Sequence, residues 1–153
     1  MIEPRDLFEA HLTVTDLDEA IQFYRDVLGL RLAHLPKTRH AAFFWIGSSG
    51  NAMLGLWSGG VGPQRMTMHI AFRVSPAEVI AAPAVLRSAG ITPLDFEGQP
   101  TDEPVVIAWM PALSVFFRDH DGHLLEYIAM LPDTPRPDDG VVPWHAWRTS
   151  PHS

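Results

Sequence analysis

The stretch Leu7-Phe8-Glu9-Ala10-His11-Leu12-Thr13-Val14, followed by Thr15-Asp16-Leu17-Asp18-Glu19-Ala20-Ile21-Gln22-Phe23-Tyr24-Arg25-Asp26-Val27-Leu28-Gly29-Leu30, decides the fold. Its first half reads as a strand with a histidine among apolar neighbours. Its second half reads as a helix: Asp16 is placed to cap it, Glu19 follows three residues on, and Leu17, Ala20, Ile21, Tyr24 and Leu28 keep helical spacing. Gly29 supplies a left-handed stop. Leu30 to Leu35, His40 to Ile46 and Ala52 to Trp57 then read as strands, the last two joined by the hairpin composition Gly47-Ser48-Ser49-Gly50-Asn51.

The same order recurs. Met66-Thr67-Met68-His69-Ile70-Ala71-Phe72-Arg73-Val74 is a second histidine-bearing strand, separated from the first unit by the glycine-rich linker Ser58 to Arg65. A helix signal follows, with Ser75 as cap, Pro76 at the first position and Glu78 at the third. Pro83 predicts a break, so a short turn and then a helix from about Ala82 to Ala89 are expected. Strands are expected at Ile91 to Phe96, Val105 to Met110, Leu113 to Arg118 and His123 to Met130. The chain thus reads as α+β: two tandem βαβββ modules, about 6–58 and 66–130, forming a curled mixed sheet around a central site with helices on the outer face. Residues 1–130 make one domain, and the proline-rich segment 131–153 is expected to be an extended arm whose Trp144 and Trp147 can dock aromatics on the body or on a partner.

Composition narrows the partners. At 153 residues with 46% hydrophobic and 19% charged residues, the chain can bury a sizeable core. No apolar run is long enough to span a bilayer. The start, Met1-Ile2-Glu3-Pro4-Arg5-Asp6, lacks a basic region followed by an apolar run, which predicts no signal peptide and a cytoplasmic protein. A net charge of −7 argues against nucleic acid and anionic membranes, leaving a small molecule as the expected partner. With no cysteine, thiolate chemistry and disulfides are excluded, and any metal must be held by nitrogen and oxygen.

One set of residues carries chemistry. A lone histidine in an apolar strand is usually a satisfied core or surface residue. Here His11 and His69 stand alike in two equivalent units, so a pseudo-twofold arrangement brings them to one location. Glu126, in His123-Leu124-Leu125-Glu126-Tyr127-Ile128, adds the anion that a divalent metal wants. A carboxylate buried there without a partner is costly.

These units, with Phe23-Tyr24-Arg25-Asp26-Val27-Leu28-Gly29-Leu30, Met68-His69-Ile70-Ala71-Phe72 and Asp119-His120-Asp121-Gly122-His123-Leu124-Leu125-Glu126, resemble the vicinal oxygen chelate superfamily over roughly residues 6–130. That superfamily includes glyoxalase I, fosfomycin-resistance thiol transferases, extradiol dioxygenases and bleomycin-binding proteins. The resemblance implies one divalent metal per site (Fe, Mn, Zn or Ni) on His11, His69 and Glu126, acting as Lewis acid or O2-activating centre for a substrate with vicinal oxygens. It also implies a homodimer whose metal sites can combine strands of two chains. The glutamate that glyoxalase I carries on the last strand of its first repeat falls here on Gly55, which disfavours ordinary glyoxalase chemistry. The cationic, hydroxyl-rich phosphonate set of the fosfomycin enzymes is represented only by Ser114, so the thiol transferase is a further alternative.

Phe43, Trp45, Met53, Trp57, Trp109, Ser114 and Phe116 are the candidate substrate-binding residues, and they point to a hydrophobic or aromatic ligand. His123 and Tyr127 are the candidate catalytic side chains, although turn and surface roles suit them better. The expected function is a metal-dependent dioxygenase, lyase or isomerase. The alternative is a metal-free binding protein of the bleomycin-resistance type, against which the intact ligand set counts.

Overall fold

The computed structural model describes residues 6–37, 40–59 and 66–149. The expectations for the amino-terminal residues 1–5 and for most of the linker, residues 60–65, lie outside the described residues. Contacts divide the chain into two compact units, Met1–Met68 and His69–Ser153.

In the first unit, β1 (Glu9–Thr13) leads to α1 (Leu17–Gln22), then β2 (Arg31–His34), β3 (Ala41–Ile46) and β4 (Ala52–Trp57). Asp16 caps α1 by accepting from the Glu19 amide at 2.9 Å. The predicted single helix widens after Gln22 into a π turn over Phe23–Val27, closed by the Leu28 amide on the Phe23 carbonyl. Gly29, at φ 68°, ends it.

The sheet order is β1-β4-β3-β2, with β1 parallel to β4 and the other pairs antiparallel. Because side chains alternate, Leu12, Phe44, Leu54 and Leu56 fall on one face. All four are fully buried, and α1 packs against β3 and β4 with Tyr24 beside Phe44. The opposite face carries Glu9, His11, Phe43, Trp45, Met53, Gly55 and Trp57.

The second unit repeats the plan: β5 (His69–Arg73), α2 (Pro76–Ser88), β6 (Val105–Ile107), β7 (Ala112–Arg118) and β8 (Leu124–Met130), in sheet order β5-β8-β7-β6. α2 packs against β7 and β8. Leu125, Val115 and Phe117 fill that interface, while His69, Ala71, Phe116, Ser114 and Glu126 share the other face.

Three sequence expectations are corrected. α2 does not break at Pro83. It runs unbroken from a complete capping box between Ser75 and Glu78, and Val79, Ala82, Pro83 and Leu86 form its buried stripe. Burial of the pyrrolidine ring offsets the backbone bond that proline cannot make. Ile91 to Phe96 is not a strand; only Leu94 bridges, to Pro100 and Phe116. Pro93 lacks a donor, and Asp95 turns the chain by accepting from the Glu97 and Gln99 amides. The strand expected to reach Met110 stops at Ile107, where 108–111 turn back toward β7.

The segment after Met130 is also more than an extended arm. β9 (Val141–Pro143) pairs antiparallel with β6 as the fifth strand of the sheet, and α3 (Trp144–Thr149) follows. Trp147 is buried with the Arg136 guanidinium 3.6 Å above its ring. Glu103 holds the start of α3 through the His145 amide at 3.0 Å and the His145 Nδ1 at 2.6 Å. Proline content hid this strand, because Pro143 sits at the end of an edge strand, where a missing donor is tolerated.

Candidate metal centre

In the second unit, Glu126 Oε2 lies 3.0 Å from His69 Nε2. Glu126 is buried, whereas its partner imidazole is about half exposed. The other carboxylate oxygen, Oε1, is buried with no hydrogen-bond partner. Ala71 is its cross-strand neighbour on β5 and Phe116 its neighbour on β7, so space is made on one side and an apolar wall stands on the other. Phe116 lies 6.1 Å from both the His69 ring and the Phe96 ring. Ser114, on the same face, is fully buried with its hydroxyl unpartnered.

In the first unit, His11 faces Gly55 across the β1–β4 pair. The space above that glycine is filled by the imidazole: a Cβ there would stand 2.8 Å from His11 Cδ2, 3.1 Å from Nε2 and 3.2 Å from Phe43 Cε1. Trp57 Nε1 donates to His11 Nδ1 at 3.1 Å. On the other side, His11 Nε2 is 3.0 Å from Glu9 Oε1, close enough for an ion pair but off the line of a hydrogen bond. Phe43, Trp57 and His34 complete an aromatic cluster around it.

Of the predicted ligands, the structure brings His69 and Glu126 together in the second unit, while His11 lies in the first unit beside Glu9, which was not among them. Among the described residues, no group of three His, Asp or Glu side chains is arranged to hold a metal. It also corrects the equivalence of the two histidines. β1 and β5 end alike, with the Val14 amide on the Trp57 carbonyl and the Val74 amide on the Ile128 carbonyl. Counting back from those valines, Glu9 matches His69 and His11 matches Ala71, while Gly55 matches Glu126. Glu9 is thus a residue that the histidine pattern passed over. The signal was present, since three residues follow His11 before or at its valine and five follow His69.

The remaining candidates separate cleanly. Phe43, Trp45, Met53 and Trp57 share the His11 face of the first sheet. Ser114 and Phe116 share the Glu126 face of the second. Trp109 sits on the turn between β6 and β7 and is 62% exposed, away from either strand face. His123 is buried in the turn before β8, its amide held by Asp119 Oδ1. Tyr127 alternates to the helix-packed side, with its ring 4.8 Å from that of Phe117, and burial pushes its phenol up to about 12. Neither shares the face of Glu126.

Residues 7–127 match the family model of the glyoxalase/bleomycin resistance protein/dioxygenase superfamily. The chain belongs to that superfamily. Among solved structures it is similar to an integron cassette protein from the mobile metagenome of the Halifax Harbour sewage outfall (30% identity, 83% of this chain and 100% of that one, TM-score 0.66). It is also similar to a lactoylglutathione lyase from Agrobacterium tumefaciens (25% identity, 82% and 93%, TM-score 0.60). A fosfomycin resistance protein of Listeria monocytogenes complexed with Mn(II) and sulfate shares the fold (22% identity, 86% and 94%, TM-score 0.58). No match was found among curated proteins. No helix among the described residues is long and apolar enough to cross a membrane.

Proposed function

We propose that this superfamily member is a divalent-metal-dependent enzyme of the glyoxalase/dioxygenase type, acting on a small hydrophobic or aromatic molecule with vicinal oxygens. The observation that carries the reading is Glu126: a buried carboxylate with one oxygen on His69 and the other unpartnered. An unsatisfied buried oxygen of this kind costs on the order of 1–3 kcal/mol. A cation relieves that cost, and a nitrogen and oxygen donor set suits Fe, Mn, Zn or Ni.

His69 and Glu126, the pair that the second repeat brings together, hold the metal in this reading. When bound, the ion supplies a Lewis acid for the two substrate oxygens. Phe116, with Phe96 against it, presents an apolar wall beside His69, and the buried Ser114 hydroxyl is a donor on the same face. Phe43, Trp45, Met53 and Trp57 offer a second apolar face for an aromatic substrate. The lyase similarity supports enzyme over binder. The Mn(II) complex of the fosfomycin resistance protein supports a metal on this fold. A homodimer is part of the same proposal.

The test is metal content and turnover. Purified protein reconstituted with Mn(II), Fe(II), Zn(II) or Ni(II) is expected to retain about one ion per chain, and Glu126→Gln and His69→Ala to retain none. Oxygen uptake with catechol-like compounds then separates an oxygenase from an isomerase. Wild-type protein that holds no ion, yet binds aromatic compounds, would make it a sequestering protein instead.

A further inference from the structure

Phe96 is an apolar ring kept in the open: it is 57% exposed, and its ring meets that of Phe116 at 6.1 Å between centroids and 72° between planes. A single exposed apolar side chain is ordinary on a protein surface. This one differs in how firmly it is held and in what it stands beside.

The segment that carries it is a clamped turn. Leu94 exchanges both backbone hydrogen bonds with Phe116, at 2.7 and 3.0 Å, and also bridges to Pro100. Asp95 closes the turn: its Oδ1 accepts from the Glu97 and Gln99 amides at 2.9 and 2.8 Å, and its own amide donates to the Gln99 carbonyl at 2.8 Å. Gly98, at φ 79°, takes the left-handed step within it. A slack loop would let the ring fold onto neighbouring apolar surface, which burial favours. The clamp holds it exposed instead.

The root of the turn is in register with the candidate metal pair. Leu94, Phe116, Glu126 and Ala71 stand side by side across four neighbouring segments of the second unit, and Phe96 follows two residues after Leu94. The buried Phe116 ring backs two open rings, Phe96 and the half-exposed His69 imidazole, each 6.1 Å from it. Phe116 thus fixes the tilt of Phe96, and the surface left for a ligand is that of Phe96 itself. A rigid, open aromatic face favours a flat ring, which can stack on it, over a puckered aliphatic ring, which gains only the burial of its surface.

We infer that Phe96 is a specificity-determining residue of the second repeat: it packs on an aromatic ring of the substrate and selects it over an aliphatic ring of equal carbon count. The inference rests on the proposed metal centre, and it narrows the substrate from hydrophobic molecules in general to aryl compounds. Because the turn already holds the ring in place, little ordering is lost on binding.

Three hydroxamates separate the ring from the chelating oxygens. Acetohydroxamate carries the oxygens alone, benzohydroxamate adds a flat ring, and cyclohexanecarbohydroxamate adds a puckered one. By titration calorimetry, the Mn(II)-loaded wild type is expected to hold benzohydroxamate about 5-fold more tightly than the cyclohexyl compound, the middle of the range for an aromatic pair. Phe96→Leu, which stays apolar, should erase that preference, and Phe96→Tyr should keep it. Equal affinities for the two ring compounds in the wild type, or a preference that survives in Phe96→Leu, would overturn the inference while leaving the metal centre standing. A Phe96→Leu change that weakens all three compounds alike would mark a structural role and overturn it too. Wild type that retains no Mn(II) would overturn the metal centre instead; the same ring pair titrated into metal-free protein then decides the role of Phe96. Sedimentation of wild type and Phe96→Leu should agree, since a dimer lost with the ring would place Phe96 in an interface and overturn the assignment.

Discussion

Glu126 Oε2 lies 3.0 Å from His69 Nε2 while Glu126 Oε1 is buried without a partner. In the proposed metal centre this pair supplies two of the donors. Mn(II) at about 100 times its Kd is expected to add about 2.7 kcal/mol. For a chain of this size that is a rise in Tm of roughly 5–10 °C. Glu126→Gln should abolish the rise and leave the metal-free Tm unchanged or higher. Equal rises in both proteins, read by calorimetry with and without chelator, would show that the ion binds elsewhere.

Trp147 ties the carboxy-terminal segment into the second unit, beneath the Arg136 guanidinium. Trp147→Ala is expected to cost about 3–5 kcal/mol, the range for large aromatic truncations in cores. Urea unfolding measures it. A loss below about 1 kcal/mol would mean that β9 and α3 rest on the sheet without stabilising it.

Tyr127 sets an alkaline limit on stability. Its folded value, about 12, is above the ordinary 10.0 because burial disfavours the phenolate. The raised value means that its contribution is fully present below pH 10 and is lost as pH climbs from 10 toward 12, where the unfolded chain ionises first. Absorbance at the phenolate band in a Tyr24→Phe background is expected to rise near pH 12, and stability to fall across that window. Titration near pH 10 with the fold intact would refute it.

Much of the fold was legible because both repeats pair a strand, a capped helix and a glycine hairpin in the same order. Asp16, Ser75, Glu78 and Gly29 act as their residue types suggest. Proline misled in both directions. Pro83 sits within a continuous helix because its ring is buried, and the prolines of the tail concealed an edge strand. Both outcomes depend on tertiary packing, which no local pattern reports.

The site was half legible. Histidine as a residue type drew attention to His11 and His69, and Glu126 completed a familiar donor set. Strand register then showed that residue type and position had been conflated: the place matching His69 holds Glu9. Which nitrogen of His11 is available depends on Trp57, forty-six residues away in the chain, and only the folded sheet brings that indole to it.

Position 55 also constrains how this chain can change over time. Any side chain there meets His11 within 3 Å, so a donor cannot be gained at that place in one step without first losing or moving the imidazole. The effect of a substitution at 55 has its sign set by what stands at 11. A carboxylate at 55 and the present His11 compete for the same space, so the order of replacements at 11 and 55 decides whether one arrangement can be reached from the other.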